Sequence, residues 1–317
     1  MLLFSLVVCF YLLEAGKPTT YYLLLSSMFS QILINGLIAG AIYALVAAGF
    51  SLIYSTTKFV HFAHGGVIAL SAYMLYLFYS LIGLNFWLSA LLAIISGVVI
   101  GIGIDYLIYR PLRRRRASSV IILIASVAVL LILESLNLML FGADVKSINF
   151  LEIGSGWTIG PVIITSLQIF IVVSSLVMLG ILFLFMKYSK IGKAMRAVAD
   201  NQAVAEIVGI SAEKIYTWSF GLGSLIAGFA AVLIALEQNI EPTMGTALII
   251  KGFTASIIGG VESVAGGVLG AFLLGLAENF GIWWLPSSYK DAIAFFILFV
   301  FLLFKPEGIL GVKKGNK

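Results

Sequence analysis

The sequence predicts an all-α, polytopic membrane protein with about eight to ten transmembrane helices, including short and broken ones. Two observations lead to this fold class. Of the 317 residues, 62% are hydrophobic and only 10% are charged, whereas soluble domains carry about a quarter charged residues. The apolar residues also form continuous runs close to the roughly 20 residues that a helix needs to cross a bilayer. A transmembrane barrel would instead alternate apolar and polar residues.

Charged and turn residues divide the chain into apolar segments, several of them shorter than a full span. We place these segments at residues 1–14, 22–54, 62–82, 84–108, 118–141, 162–186, 215–238, 246–260, 264–284 and 291–304. Residues 1–13 resemble the apolar part of a signal peptide. They lack basic residues, and no A-x-A-like cleavage site follows closely, so we interpret 1–21 as an N-terminal extension with a short first helix.

Basic residues predict which ends of the segments face the cytoplasm. They cluster at 110–116, at 187–196 and at 313–317, and such loops stay inside. Because an even number of segments separates the clusters, the 142–161 loop is expected outside and the C-terminus in the cytoplasm. The formal charge of +5 therefore marks membrane topology in a cell (inner) membrane and does not indicate nucleic-acid binding.

The same pattern divides the chain into regions around one polar loop. We assign a first transmembrane half (22–186), a cytoplasmic loop (187–214), a second transmembrane half (215–312) and a cytoplasmic tail (313–317).

Two polar, glycine-containing interruptions, one in each half, indicate a substrate pathway. They read FVHFAHGG at 59–66 and IGGVES at 258–263. Breaks at membrane depth are tolerated only where protein or a watery cavity satisfies the backbone, and breaks at corresponding places in two halves mark a transporter's path. The candidate pathway residues are His61, Phe62, His64, Gly65, Glu134, Gly259, Gly260 and Glu262.

Ionisable residues within apolar segments should face protein or water, because they are costly against lipid. Glu134, in mid-segment, is the best candidate for an interior polar role, and Lys251 is the next. A buried structural pair is an equal alternative for both. Asp105 and Glu278 lie near segment ends, where a position at the membrane interface would explain them.

Catalytic and metal sites are not indicated. His61 and His64 are spaced to share a helical face, but no third ligand is evident, so we predict no metal site and favour a structural or pathway-lining role. A membrane metalloenzyme using this pair is a less favoured alternative. No G-x-x-x-x-G-K-[ST] motif occurs, so ATP, if used, must be bound by another subunit. No nucleophile elbow occurs either, and the single Cys9 cannot form an internal disulfide.

The cytoplasmic loop KYSKIGKAMRAVADNQAVAEIVGISAEK (187–214) is polar, basic and rich in alanine, which favours a helix. Such a helix could lie on lipid headgroups or dock into a groove of a partner. Composition does not decide between these two interpretations.

Several motifs, in order, resemble the ABC importer permeases of the branched-chain amino acid type. They are NGLIAGAIYALVAAGFSLIY (35–54), FVHFAHGG (59–66), YRPLR (109–113), IGKAMRAVADNQAVAEIVGI (191–210), FGLGSLIAGFAAVL (220–233), KGFTASIIGG (251–260), SVAGGVLGA (263–271) and PEGILG (306–311). The sequence is most similar to the first permease subunit type, to which urea and amide permeases are close relatives. Glu262 departs from the family's pattern, which often has Gly there.

This resemblance implies a pore-forming subunit that binds no cofactor itself and uses ATP hydrolysed by partners. The implied partners are a second homologous permease or a second copy of this chain, two ATP-binding subunits, an extracytoplasmic substrate-binding protein and membrane lipid. A coupling helix would contact the ATP-binding subunit through Gly192, Lys193, Ala194, Arg196, Ala197, Ala199, Asp200, Ala203 and Gly209. Of these, Ala194, Ala197 and Ala203 would form the inserting face.

Alternatives to branched-chain amino acid import are an ABC permease for urea, amides, nucleosides or sugars, and an ion-coupled secondary transporter that binds its ion at Glu134.

Overall fold

A computed structural model describes residues 18–150 and 156–311 of the chain, and its regular structure is almost entirely helical. The predicted extension, Cys9 and the tail lie wholly or mostly outside these residues. The elements are α1 Pro18–Thr57, α2 Ala63–Tyr76, α3 Phe86–Ile104, α4 Arg110–Arg114, α5 Ser119–Phe141, β1 Trp157–Ile159, β2 Val162–Ile164, α6 Ser166–Tyr188, α7 Lys190–Asp200, α8 Gln202–Ile207, α9 Ala212–Glu237, α10 Met244–Gly259, α11 Val264–Gly281, a 3₁₀ turn Ser287–Tyr289 and α12 Lys290–Phe304.

The helices confirm the predicted class. Within the described part of the chain, eight helices are long and apolar enough to cross a membrane, and α10 is a shorter apolar helix. Wide turns of the π type extend α2 over Leu77–Leu81 and α3 over Asp105–Tyr109. The count agrees with the predicted range, and α10 is one of the short helices that the polar break at 258–263 predicts.

Helix α1 forms the centre of the bundle. In its most apolar stretch 89% of the residues are buried, against 6% for the span that contains α12. Small residues allow this closeness: a Cβ on Gly40 would lie 2.9 Å from the Cα of Phe272 in α11. Gly275 of α11 approaches the backbone of α1 in the same way. Close backbone approach supplies the van der Waals contact that holds membrane helices together.

The predicted segment 162–186 is wrong at its start. β1 and β2 form an antiparallel hairpin around Gly160, whose φ of +61° suits glycine. Thr165 then caps α6, with reciprocal bonds between Thr165 and Gln168. The helix therefore begins at Ser166, because the capping box fixes its first turn there.

The two ends of the bundle differ in charge. Arg113 contacts Glu213 at the start of α9, so the basic cluster 110–116 lies beside the loop that carries α7 and α8. We call this the basic end. At the opposite end Lys146 and Ile240 exchange backbone hydrogen bonds of 3.0 and 2.8 Å, which joins the loop after α5 to the loop after α9. This arrangement agrees with the parity of the predicted segments.

Candidate substrate pathway and coupling segment

The two predicted interruptions meet at the basic end of the bundle. Lys58, directly after α1, lies with its Nζ 3.2 Å from Glu262 Oε2 in the loop between α10 and α11. Phe62 and Phe253 lie with their ring centroids 5.6 Å apart. The glycine breaks identified Glu262 and Phe62, but nothing in the sequence singled out their partners Lys58 and Phe253, which lie about two hundred residues away along the chain.

An aromatic cluster fills the seam between α1 and α10 next to this ion pair. It consists of Phe50, Tyr54, Phe62 and Phe253, packed with Leu130 and Ile249 apart from the main core. Phe50 lies 5.7 Å from Phe253, edge to face, and 6.3 Å from Tyr54. The seam is therefore closed by aromatic side chains in this conformation.

The second break has a defined local structure. α10 ends at Gly259, and Gly260 adopts a φ of +108° that an L side chain rarely takes. The orphan carbonyl groups at this helix end accept hydrogen bonds from the PEGILG segment: Ile309 N donates to Ile258 O and Leu310 N to Gly259 O. The chain's C-terminal segment thus caps α10, as buried helix ends require.

The two histidines are part of the packed core. The relative exposure of His61 is 1% and that of His64 is 0%, and His61 Nδ1 lies 3.0 Å from the hydroxyl of Tyr109. Burial first, and the neighbouring His64 second, lowers the pKa of His61 well below its usual range. The structure thus places both in the interior, with Gly65 buried beside them, whereas Phe62 and Val60 of this motif pack against the aromatic cluster. Among the described residues no group of three metal ligands occurs.

Glu134 caps a helix. Its Oε1 accepts hydrogen bonds from the backbone N of Thr246 at 3.1 Å and from the Thr246 hydroxyl at 2.6 Å. Thr246 lies in the first turn of α10, where the helix dipole favours a negative group. The structure places Glu134 at the end of α10 away from Glu262, in the half-buried contact between α5 and α10.

Lys251 and Glu278 form a buried ion pair. The sequence indicated an interior position for Lys251 only. Lys251 Nζ lies 3.0 Å from the Tyr43 hydroxyl, 3.5 Å from Glu278 Oε2 and 3.2 Å from Asp291 Oδ1. Glu278 is completely buried, so the explanation of it as an interface marker is wrong. A carboxylate in the interior needs such a partner because an unpaired charge there is costly.

The explanation of Asp105 by a position at the membrane interface is also wrong. Asp105 is also completely buried, with Arg113 Nη1 at 2.8 Å and the Thr217 hydroxyl at 3.1 Å. Arg113 in turn donates two hydrogen bonds, of 3.1 and 3.0 Å, to Glu213. The YRPLR motif therefore anchors the end of α3 and α4 to the start of α9. This role of Asp105 and Glu213 was missed, because nothing in their spacing indicates a shared partner.

Helix α7 packs back onto α6. Gly192 permits this, since a Cβ there would lie 2.7 Å from the Cα of Met186, and Ser189 caps α7 by accepting from Gly192 N at 2.8 Å. Met195 and Val198 are buried, and half-buried Ala194 and Ala197 pack against the same core. These two alanines, predicted to insert into a partner, lie against the chain itself.

The predicted coupling helix 192–209 is not continuous. Asn201 is extended (φ −151°, ψ 104°) and caps α8 by accepting from Val204 N at 3.1 Å. An Asn side chain that bonds the backbone two to three residues ahead starts a new helix, and Gly209 ends α8 with a φ of +87°.

The exposed apolar surface of this segment belongs to α8 and the turn after it. Ile207 is 84% exposed, Val208 69% and Val204 55%, and Ala203 is exposed beside them. Lys193, Arg196 and Asp200 are exposed on α7, where Ala199 is half-buried. We call Val204, Ile207 and Val208 the apolar tip; sequence periodicity missed it because the break at Asn201 turns α8 relative to α7.

A groove links the coupling segment to the second interruption. Its volume is about 790 Å³, with Met195, Arg196 and Ala199 of α7 on one side and Glu262 and Ser263 on the other. Residues of α7 and the loop that carries Glu262 therefore line the same groove.

Two helix breaks that meet inside a polytopic bundle are typical of membrane transport proteins. The chain belongs to the family of permease components of branched-chain amino acid transport systems, whose family model matches residues 32–302. It is similar to the high-affinity branched-chain amino acid transport system permease protein BraD of Pseudomonas aeruginosa, at 34% identity over 90% of this chain and 97% of that protein. The corresponding protein LivH of Escherichia coli is 31% identical over 91% and 97%. A probable LivH of Methanocaldococcus jannaschii is 31% identical over 92% and 95%.

Proposed function

We propose that this chain is the pore-forming permease subunit of an ABC importer for branched-chain amino acids. The observation that carries the proposal is the match to the permease family over residues 32–302, together with relatives at 31–34% identity named for branched-chain amino acid transport. The chain itself binds no cofactor in this proposal, and ATP is hydrolysed by partner subunits.

The basic end faces the cytoplasm of the cell (inner) membrane. Supporting this orientation, the cluster 110–116 and the 187–196 run lie together at that end, and basic loops stay inside. The C-terminal segment also lies there, because Leu310 bonds the end of α10. The joined loops around Lys146 and Ile240 are then extracytoplasmic, where a substrate-binding protein docks.

One of the two ATP-binding subunits engages α7 and α8 of this chain from the cytoplasm, and the other engages the second permease. The apolar tip supports this, because large apolar side chains that are mostly exposed at a polar surface are typical of an interface. A second permease, homologous or identical, completes the pore. ATP-driven movement of α7 opens the aromatic cluster through the groove and the Lys58–Glu262 pair, as a rigid-body switch biased by nucleotide.

Reconstitution in liposomes tests the proposal. The complex of this chain with its permease partner and ATP-binding subunits should take up labelled leucine only with ATP inside and binding protein outside. Uptake by the chain alone, driven by a sodium or proton gradient, would show an ion-coupled transporter instead. Ile207→Asp should abolish ATP-dependent uptake, whereas Ile207→Val, which keeps an apolar side chain at this 84% exposed position, should leave it intact.

A further inference from the structure

We propose that a cavity beside Lys251 at the outer end is the first substrate site within this chain and takes a zwitterionic α-amino acid with a small apolar side chain. The inference rests on the proposed function and assigns a site to it. The carboxylate of the ligand binds Lys251 and its ammonium group faces Glu241. We call this space the outer cavity; Tyr43, Glu241, Met244, Ala247, Leu248 and Lys251 line it.

The outer cavity lies on the route from the outside to the closed seam. Its rim is the loop after α9, in which Ile240 bonds Lys146 at the end away from the basic clusters. Its floor is formed by Tyr43 of α1 and Lys251 of α10. The same two helices carry Phe50 and Phe253 of the aromatic cluster. Phe50 lies about two turns beyond Tyr43, and Phe253 about half a turn beyond Lys251, toward the basic end. A ligand in the outer cavity therefore rests above the seam that must open.

The size of the cavity selects a small ligand. Its volume is about 270 Å³. This volume is below the roughly 300–1,000 Å³ of pockets that take larger ligands. Leucine has about nine non-hydrogen atoms, whereas a nucleoside has roughly twice that number and is too large for the cavity. The outer cavity thus fits a single amino acid of leucine's size.

Lys251 can exchange one of its partners for a ligand. Its ammonium group has three donors, shared among Tyr43, Glu278 and Asp291. Glu278 is fully buried and stays in place, but the side chain of Asp291 is 65% exposed. Because Asp291 regains water when it leaves, a ligand carboxylate can replace it with little loss. Release of Asp291 thus frees one donor of Lys251 for a ligand carboxylate in the outer cavity.

The rest of the outer cavity matches the other parts of an apolar amino acid. Met244, Ala247 and Leu248 precede Lys251 by seven, four and three residues, so they share its face of α10 and form an apolar wall. Glu241 lies at the mouth and forms no ion pair within residues 18–150 and 156–311. A carboxylate at the mouth and an ammonium group at the floor select a zwitterion, and the apolar wall disfavours a charged side chain.

Equilibrium binding of tritiated leucine to the complete complex in lipid nanodiscs, without the binding protein, tests this site. Ala247 is exposed in the cavity, so Ala247→Phe fills the space without disturbing the core and should weaken binding at least about tenfold. Ala128→Phe, at an exposed site on α5 that does not line the outer cavity, is the matched control and should bind like the original protein. Glu241→Gln should weaken leucine binding about three- to tenfold, but not binding of 4-methylpentanoate, which lacks the ammonium group.

Leucine binding that is unchanged in Ala247→Phe and Glu241→Gln would overturn the site, as would the absence of saturable binding in the original complex. ATP-dependent leucine uptake by the original complex, measured in parallel, separates the two proposals. If uptake occurs and the variants bind normally, only the site is wrong. If the complex takes up no amino acid, the proposed function fails.

Discussion

Replacement of Arg113 by Leu should be among the most destabilising single changes at the basic end. The side chain of Arg113 is 12% exposed, and its Nη1 lies 2.8 Å from Oδ1 of Asp105, whose side chain is completely buried. Removal of one partner of a buried ion pair costs about 3–5 kcal/mol, because the other charge stays buried and uncompensated. Glu213 adds little to this loss, since its side chain is 38% exposed and water screens an exposed pair to about 0–1 kcal/mol.

The assay is a double-mutant cycle on the purified protein in detergent. Arg113→Leu, Asp105→Leu and the double variant are compared by thermal unfolding, with Glu213→Gln as the matched control for the exposed partner. We expect a large loss for Arg113→Leu, a loss below about 1 kcal/mol for Glu213→Gln, and substantial recovery in the double variant, because no buried charge is left alone. A loss below about 1 kcal/mol for Arg113→Leu would refute the reasoning, as would a double variant no better than the single one.

Three further predictions concern the bundle and the seam. Lys58→Glu and Glu262→Lys should each reduce ATP-dependent uptake, because like charges then face each other across 3.2 Å. The double exchange should restore uptake. Additive losses in the double variant would contradict a role for the pair. Gly40→Leu should destabilise the chain by several kcal/mol, because its Cβ would lie 2.9 Å from the backbone of α11. The control Gly103→Leu should not, because open space surrounds that position. Equal melting temperatures of the two variants would refute the close packing. Glu134→Gln should lower the stability of the fold by about 0.5–2 kcal/mol, because α10 loses a charged cap. Uptake should stay independent of ion gradients. Uptake that depends on Glu134 and on sodium or protons would support the ion-coupled alternative.

The sequence was sufficient for the class and number of the spans, because hydrocarbon length and basic loops act locally along the chain. It also located both helix breaks, whose glycines and polar groups are visible without any partner. Local sequence could not show which charged residues become partners. These ion pairs are Lys58–Glu262, Lys251–Glu278 and Arg113–Asp105. Such contacts depend on which helices become neighbours, and no local pattern encodes that choice.

For the coupling segment, too, local sequence predicted some features and not others. Its position in a polar loop and its helical character were predicted, but its surface was not. An extended Asn201 ends α7 and caps α8, so the helical periodicity that assigned Ala194 and Ala197 to one face with Ala203 does not continue through it. The predicted contact of this segment with an ATP-binding subunit stays a prediction.

Site-directed disulfide cross-linking tests the coupling contact most directly. In a Cys9→Ser background, a cysteine at Ile207 in the apolar tip is oxidised in the assembled complex with single cysteines introduced around the groove of the ATP-binding subunit. We predict a cross-linked product from Ile207→Cys whose yield changes with ATP, and none from Val145→Cys at the opposite end, which is also exposed. Absence of any cross-link from Ile207→Cys in an ATP-hydrolysing complex, or a cross-link from Val145→Cys, would contradict this account.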